Sequence, residues 1–237
     1  MTTGKRIPPE QHHGHRDVTG GWMRPAVFGV MDGLVSNTAL IAGVAGGGGD
    51  PSAVALAGLA GLVAGAISMA TGEYVSVASQ AELTRAEIEV EKREIARVPE
   101  AEEAELAAMY RARGVDDATA REVARQLSRD PEQVWRVHAR EELGVDPDDL
   151  PSPWSAAGSS FGAFTVGAAV PVLPYLLGAT GLLLPLVLAL IGLFLAGVLV
   201  SRFTDRGALY SGSRQLLLGG AATALTYGIG SLVGTSV

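Results

Sequence analysis

Apolar runs of bilayer length recur along the chain and are separated by short polar breaks, except in one place where the pattern changes character. The runs at 25–45, 52–79, 155–177, 182–200 and 215–233 each supply the ~20 mostly apolar residues that a membrane-crossing helix needs. The first two are joined by Gly46-Gly47-Gly48-Gly49-Asp50-Pro51 and the third and fourth by Gly178-Ala179-Thr180-Gly181. Pro171 and Pro174 are expected to interrupt the third run, because proline removes a backbone donor.

Residues 80–153 follow a different grammar, with charges on a helical period. A helix over 81–98 should continue the second run with no break signal. Pro99 opens a second helix that ends near Gly114, Asp116 or Thr119 caps a third, and Pro131 opens a fourth that stops at Gly144. The organisation is therefore a polar tail (1–23), two membrane helices (24–79), a helical insert (80–153) and three more membrane helices (154–237). The fold class is an all-α integral membrane protein with five transmembrane helices and a helical insert between the second and third.

Composition agrees with that class. Only 18% of residues are charged, 48% are hydrophobic, 31 are glycine and the mean hydropathy is +0.27, a profile unlike that of a soluble enzyme. The insert holds 19 of the 25 acids and 11 of the 18 bases, an excess of eight acids against seven for the whole chain. The pI near 5.1 argues against a nucleic-acid partner. Cysteine is absent, so metal chemistry must use carboxylate, imidazole, thioether or carbonyl ligands. Residues 1–17 are polar, contain Pro8 and Pro9, and have no apolar run behind Lys5-Arg6; the first apolar run is expected to remain as a membrane helix rather than serve as a signal peptide.

The bases divide by side. Four precede the first run, eleven lie in the insert and three, Arg202, Arg206 and Arg214, join the fourth and fifth runs. With five spans these places share one face, and the positive-inside rule puts the N-terminus and the insert in the cytoplasm. Small residues repeat at helix-packing spacing, at Gly29 and Gly33, at Ala57, Gly61 and Gly65, at Gly158 and Gly162, and at Gly220, Ala224 and Gly228. Such rows let helices approach closely in lipid, within a subunit or across a dimer.

Asp32 and Glu73 are the only acids in the apolar runs. Placing a carboxylate there costs about 2.5–3.5 kcal/mol even on lenient scales, and such acids usually mark ion or proton routes. The structural alternative for Asp32 is a protonated acid bonded to Ser36 or Asn37. Met69 precedes Glu73 by one helical turn and shares its face. Packing is the usual role of a methionine, but a thioether beside a carboxylate suits a borderline cation such as Fe2+ better than Mg2+ or Ca2+. Intramembrane proteolysis fits poorly. An aspartyl protease needs a second membrane aspartate, and all four histidines lie in the tail (His12, His13, His15) or the insert (His138).

On the first insert helix Glu87, Glu91 and Glu94 form one stripe, Glu102 and Glu105 share a face on the second, and His138 and Glu142 are at i, i+4 on the fourth. Like charges so stacked are mildly unfavourable unless a cation joins them, while a solvated acidic face balanced by lysine and arginine is the alternative. A ferritin-like di-iron site would need two Glu-x-x-His pairs, which the insert lacks. The tail histidines could catch a divalent metal, although a short tract in a polar tail has no assigned role.

The runs Met31-Asp32-Gly33-Leu34-Val35-Ser36-Asn37, Gly65-Ala66-Ile67-Ser68-Met69-Ala70-Thr71-Gly72-Glu73-Tyr74-Val75-Ser76 and Arg140-Glu141-Glu142-Leu143-Gly144 resemble the vacuolar iron transporter family, and the resemblance extends from Val30 to the C-terminus. It implies a homodimer of five-span subunits with a cytosolic metal-binding insert, moving Fe2+ or Mn2+ out of the cytosol in exchange for protons. It also implies that the pathway aspartate and methionine fall on Asp32 and Met69, and the insert ligands on Glu91, Glu94, Glu102, Glu105 and Glu142. His138, followed by Ala139, stands where plant relatives have a methionine and a glutamate, which leaves ligand count and the ranking of Fe2+, Mn2+, Co2+ and Zn2+ open. The alanine- and arginine-rich composition points to a bacterial cell membrane.

The expected function is thus proton-coupled export of a divalent metal, with Asp32 and Met69 on the route, Glu73 as relay or gate, and Glu91, Glu94, Glu102, Glu105, His138 and Glu142 as insert ligands. Membrane lipid, protons and a second subunit are the expected partners, and no tightly bound cofactor is expected. A membrane-anchored metal sensor or buffer would bind without flux, and a passive cation channel would show flux indifferent to a pH gradient.

Overall fold

Proline and short acceptor side chains set most of the helix starts. A computed structural model of the chain describes residues 21–202 and 206–236; the histidines at 12, 13 and 15 and Asp205 lie outside the described residues. Its helices are α1 (Met23–Gly46), α2 (Pro51–Arg97), α3 (Pro99–Ala112), α4 (Asp117–Leu127), α5 (Pro131–Glu141), α6 (Pro153–Leu176), α7 (Leu183–Ser201) and α8 (Ala208–Gly234). Among the described residues there is no strand, and α1, α2, α6, α7 and α8 are long and apolar enough to cross a membrane. Asp50 caps α2 by accepting from the Ser52 and Ala53 amides at 2.9 and 2.8 Å, with Pro51 in the first helical position. The same pairing recurs at Asp130-Pro131 and Ser152-Pro153. Asp116 is the cap of α4, and Thr119 is the donor to it at 3.1 Å. Caps of this kind each contribute about 1 kcal/mol.

The second apolar run and the first insert helix form one 47-residue helix, roughly 70 Å long at 1.5 Å per residue. No glycine or proline stands between Glu73 and Arg97 to stop it. Two expectations need correction. The helix α6 runs through Pro171 and Pro174, both buried, and ends only at Leu176. Each proline deprives the carbonyl four residues earlier of its donor, but a backbone that left the helix in lipid would lose more, so the helix persists. The last span begins at Ala208 rather than 215, and Arg214 lies inside it, its guanidinium 5.8 Å from the Tyr210 ring centroid one turn back. A long basic side chain can run along a helix toward the interface.

The helix α1 packs against all four other spans. Where it crosses α6, Gly33 faces the backbone of Phe164 and Ala168, and Gly167 faces the carbonyl of Val30; a Cβ at either glycine would overlap main-chain atoms. Asn37 reinforces the crossing by donating from Nδ2 to the Ala168 carbonyl at 2.8 Å. At the far end of α1, Gly230 and Gly234 of α8 sit on Gly43 and Gly47. The anticipated rows are only partly used in this way, because Gly158, Gly162 and Gly228 face open space within the subunit. Spacing identifies a face that permits close packing, but the neighbour is set by tertiary arrangement.

In the insert, α3 and α4 bury Leu106, Ala107 and Ala124 against Met109, Tyr110, Leu127 and Val137. The end of α5 is held to α3 by an Arg113–Glu141 ion pair and a 3.3 Å Tyr110–Glu141 hydrogen bond, and to the following link by Arg140–Asp146 at 3.0 Å and Arg136–Asp148 at 3.4 Å.

Because backbone cannot retreat from a new side chain at the α1–α6 crossing, Gly33→Val should destabilise the folded protein by at least the ~1–3 kcal/mol typical of overpacking. Gly158→Ala should leave it near wild type. Thermal unfolding in detergent, followed by circular dichroism, distinguishes the two.

Candidate metal centre and membrane cavity

Two sets of polar groups lie along α2, one between the spans and one in the insert. The first lines a cavity of about 280 Å³ bounded by α1, α2 and α6, with Asp32, Ser36, Asn37, Ser68, Met69 and Phe164 in its wall. Gly61 and Gly65 let the neighbouring side chains close on α2 around it, since a Cβ at Gly65 would overlap the Phe164 ring and one at Gly61 would meet Leu40 and Asn37. The side-chain pairing that would give Asp32 a purely structural role, the alternative to a place on the route, is not formed among the described residues. Ser36 donates to the backbone carbonyl of Asp32 at 2.6 Å, and Asn37 donates to α6. Asp32 is half-buried, and Ser36, Leu40 and Ser68 are exposed, so the cavity opens at the subunit surface.

Met69 and Glu73 share a face of α2, but only Met69 lines the cavity. Glu73 is half-buried one turn nearer the insert, beside Tyr74, whose ring packs at 4.7 Å on that of Trp154. From Pro51 to Glu73 the helix rises about 33 Å, close to the ~30 Å thickness of the hydrocarbon core. Glu73 and the Tyr74–Trp154 pair thus fall at the level where aromatic residues anchor helices at an interface.

The second set lies where α5 crosses α2 and α3. His138 is completely buried, and Glu91 and Glu102 are only 6% and 7% exposed. A nitrogen of His138 and carboxylate oxygens of Glu91 and Glu142 all lie within 4.8 Å of one another. The His138 Nδ1 atom is 2.8 Å from Glu91 Oε1 and 3.9 Å from Glu102 Oε2. Despite the short separation, Nδ1 and Oε1 are not aligned as a hydrogen bond, and both are buried without a hydrogen-bond partner. Two ligand atoms that face a shared point adopt this relation. Residue spacing brought Glu91 and Glu94 to one face of α2; tertiary packing adds Glu102, His138 and Glu142. Glu94 and Glu105 are exposed at the rim, near enough for their charges to act on Glu91, Glu102 and His138. Glu87, the first member of the stripe, is exposed one turn toward the membrane.

The electrostatics follow from crowding. Burial pushes the Glu91 carboxyl up to about 7, aided by the charges of Glu142 and Glu102, a hydrogen bond with Glu142, and the charge of Glu94. Burial likewise raises Glu102, with Glu105, Glu94 and Glu142 adding to it. Burial lowers His138, against the opposing pull of Glu105. A neutral imidazole beside a carboxyl that shares its proton with solvent near pH 7 is a ligand pair rather than an ion pair. Oxygen and nitrogen donors in this number suit Fe2+, Mn2+, Co2+ or Zn2+. Asn37 is the cavity residue that residue spacing understated. Its signal was a polar side chain one turn from Gly33 on a helix-packing face.

A cation entering the insert cluster must displace the Glu91 proton, so Mn2+ affinity should rise as pH increases through about 7 and level off above it. Isothermal titration across that range, in buffers of different ionisation enthalpy, reads the released proton. Without metal, folded Glu91 keeps a proton that the unfolded chain loses near 4.5, so its contribution to stability falls as pH rises from about 4.5 to about 7. The depressed His138 acts in the opposite sense, costing stability as pH falls below the 6.5 at which the unfolded imidazole takes a proton.

The model of the VIT family matches residues 23–231. A vacuolar iron transporter of Acanthamoeba castellanii is 37% identical over 219 residues, covering 90% of this chain and 79% of that protein. Vacuolar iron transporter 1 of Oryza sativa is 32% identical over 228 residues, covering 94% and 90%, and vacuolar iron transporter 1 of Arabidopsis thaliana is 32% identical over 236 residues, covering 96% and 94%. With a match that runs from the start of α1 into the last turn of α8, the chain belongs to the VIT family.

Proposed function

We propose that the protein moves Fe2+, with Mn2+ as a second substrate, out of the cytosol in exchange for protons. The observation that carries this reading is the cavity between α1, α2 and α6, three helices long and apolar enough to cross a membrane, which has Asp32 and Met69 in its wall. A carboxylate in a low-dielectric site favours its protonated form and can exchange that proton for a cation. The names of the relatives, vacuolar iron transporters, support iron as the cargo.

In this reading the insert faces the cytosol, as the distribution of basic residues favours. Glu91, Glu94, Glu102, Glu105, His138 and Glu142 collect the cation, and Glu73 relays it at the membrane surface toward Asp32 and Met69. The route along α2 from Glu91 to Met69 spans 22 residues, about 33 Å. A homodimer completes the cavity. Its open side would otherwise expose a carboxylate to lipid, at considerable cost, and only 17% of the apolar window of α2 is buried within one subunit.

The second reading, a membrane-anchored metal sensor or buffer, draws on the insert cluster alone, since Glu91, His138 and Glu142 lie together without help from the spans. The two readings separate in proteoliposomes. Fe2+ uptake should follow an imposed pH gradient in the intact protein and fall to background in Asp32→Ala. Metal binding without flux in the intact protein would leave the sensor, and flux indifferent to the gradient would leave a channel.

A further inference from the structure

The outward face of α8 carries a positive charge at one end of an apolar stripe. Gly219 meets Val35 and Leu193, and Gly230 and Gly234 sit on Gly43 and Gly47, so one side of the helix belongs to α1 and α7. The opposite side holds Tyr210, Arg214, Leu217, Leu218, Leu225 and Leu232, at helical spacing. Arg214 is exposed, and each of the other five is at least 59% exposed. The Tyr210 ring, 5.8 Å away, is the one partner that the described residues give the Arg214 guanidinium.

Depth decides what this charge meets. The helices α1 and α8 run parallel where they touch, so counting sixteen residues back, from Gly230 to Arg214 and from Gly43 to Val27, sets Arg214 at about the level of Val27. The helix α2 runs antiparallel to α1, with Gly61 against Leu40; counting twelve residues, on to Glu73 and back to Phe28, brings Glu73 to that level too. Arg214 thus stands in the interfacial layer marked by Glu73, Tyr74 and Trp154, where lipid headgroups lie. Arg206, exposed just before the helix begins, adds a second cation on the polar side of it.

We propose that this end of α8 binds the headgroup of an anionic phospholipid, with the phosphate on Arg214, Arg206 beside it, and the acyl chains along Leu217, Leu218 and Leu225. A guanidinium offers paired donors to phosphate oxygens, and the leucines below it offer the apolar surface that the chains require. A second copy of the protein fits less well, since a two-fold contact through this face sets Arg214 against Arg214. The site is separate from both the membrane cavity and the insert cluster.

The test is native mass spectrometry of the full chain in detergent, titrated with phosphatidylglycerol or with phosphatidylcholine of the same acyl chains. The intact protein should retain phosphatidylglycerol in preference, and Arg214→Gln should weaken that binding about fivefold or more, with phosphatidylcholine unchanged. Arg214→Lys should keep part of the preference. Arg97→Gln removes the same charge about 36 Å along α2 from Glu73 and should change nothing. Arg206→Gln lies outside the helix; it should also weaken the preference, and it decides the matter if Arg214→Gln does not fold. Equal retention of the two lipids by the intact protein, or a preference that survives both glutamine variants, overturns the proposal. So does displacement of phosphatidylglycerol by millimolar inorganic phosphate, which would mark a free-anion site, or a change of subunit number in Arg214→Gln, which would mark a protein contact.

Discussion

The structure depends on how closely α1 and α6 can approach. In lipid there is little hydrophobic gain from bringing two apolar helices together, so association rests on van der Waals contact and on whatever polar bonds bridge the pair. Gly33 and Gly167 allow backbone to meet backbone, and Asn37 adds a bond across the same contact. With α1 so fixed, the faces carrying Asp32 on α1 and Met69 on α2 come to border one space. A wider crossing would bring lipid or larger side chains between them.

Different forces hold the insert, where water is available and helices associate by burying alanine, leucine and valine. Its cluster is built against the ordinary preferences of charged groups. Several carboxyls surround a buried imidazole, and the strain appears as a raised Glu91 and a lowered His138. The surrounding ion pairs are mostly exposed and of modest worth, so packing of α5 on α2 and α3 does most of the work of holding the ligands in place. The two regions thus divide the physical problem. One excludes water and offers few, well-placed donors; the other concentrates negative charge at the edge of solvent.

Much of this was legible in the sequence because membrane length, proline and capping residues act locally. The five spans, the continuation of span two into the insert and the four insert helices follow from apolar run length and from Pro99, Pro131 and Asp116. The interruption expected at Pro171 and Pro174 did not follow, since a local rule about donors yields to the absence of water around α6. The start of α8 was placed too late because Arg214 looked like a boundary, whereas a long side chain lets the helix pass beneath its charge. In the candidate site, the stripe on α2 and the i, i+4 pair on α5 were visible, but their convergence was not, because which faces meet depends on the turns between α3, α4 and α5. The bond that Asn37 makes across to α6 was invisible for the same reason: its polarity is in the sequence, and the position of Ala168 is not.

The unbroken length of α2 has a mechanical consequence. Glu91 stands 18 residues beyond Glu73, about 27 Å along a single rod. A rigid rod of that length, pivoting where it leaves the bilayer, converts a tilt of ~10° into a displacement of ~5 Å at the insert, about one helical pitch. The reverse also holds, since a movement of ~5 Å around Glu91 is geared down to ~1 Å near Met69, about 6 Å on the other side of the pivot. A lever of this ratio turns coarse movement outside the membrane into fine adjustment within it.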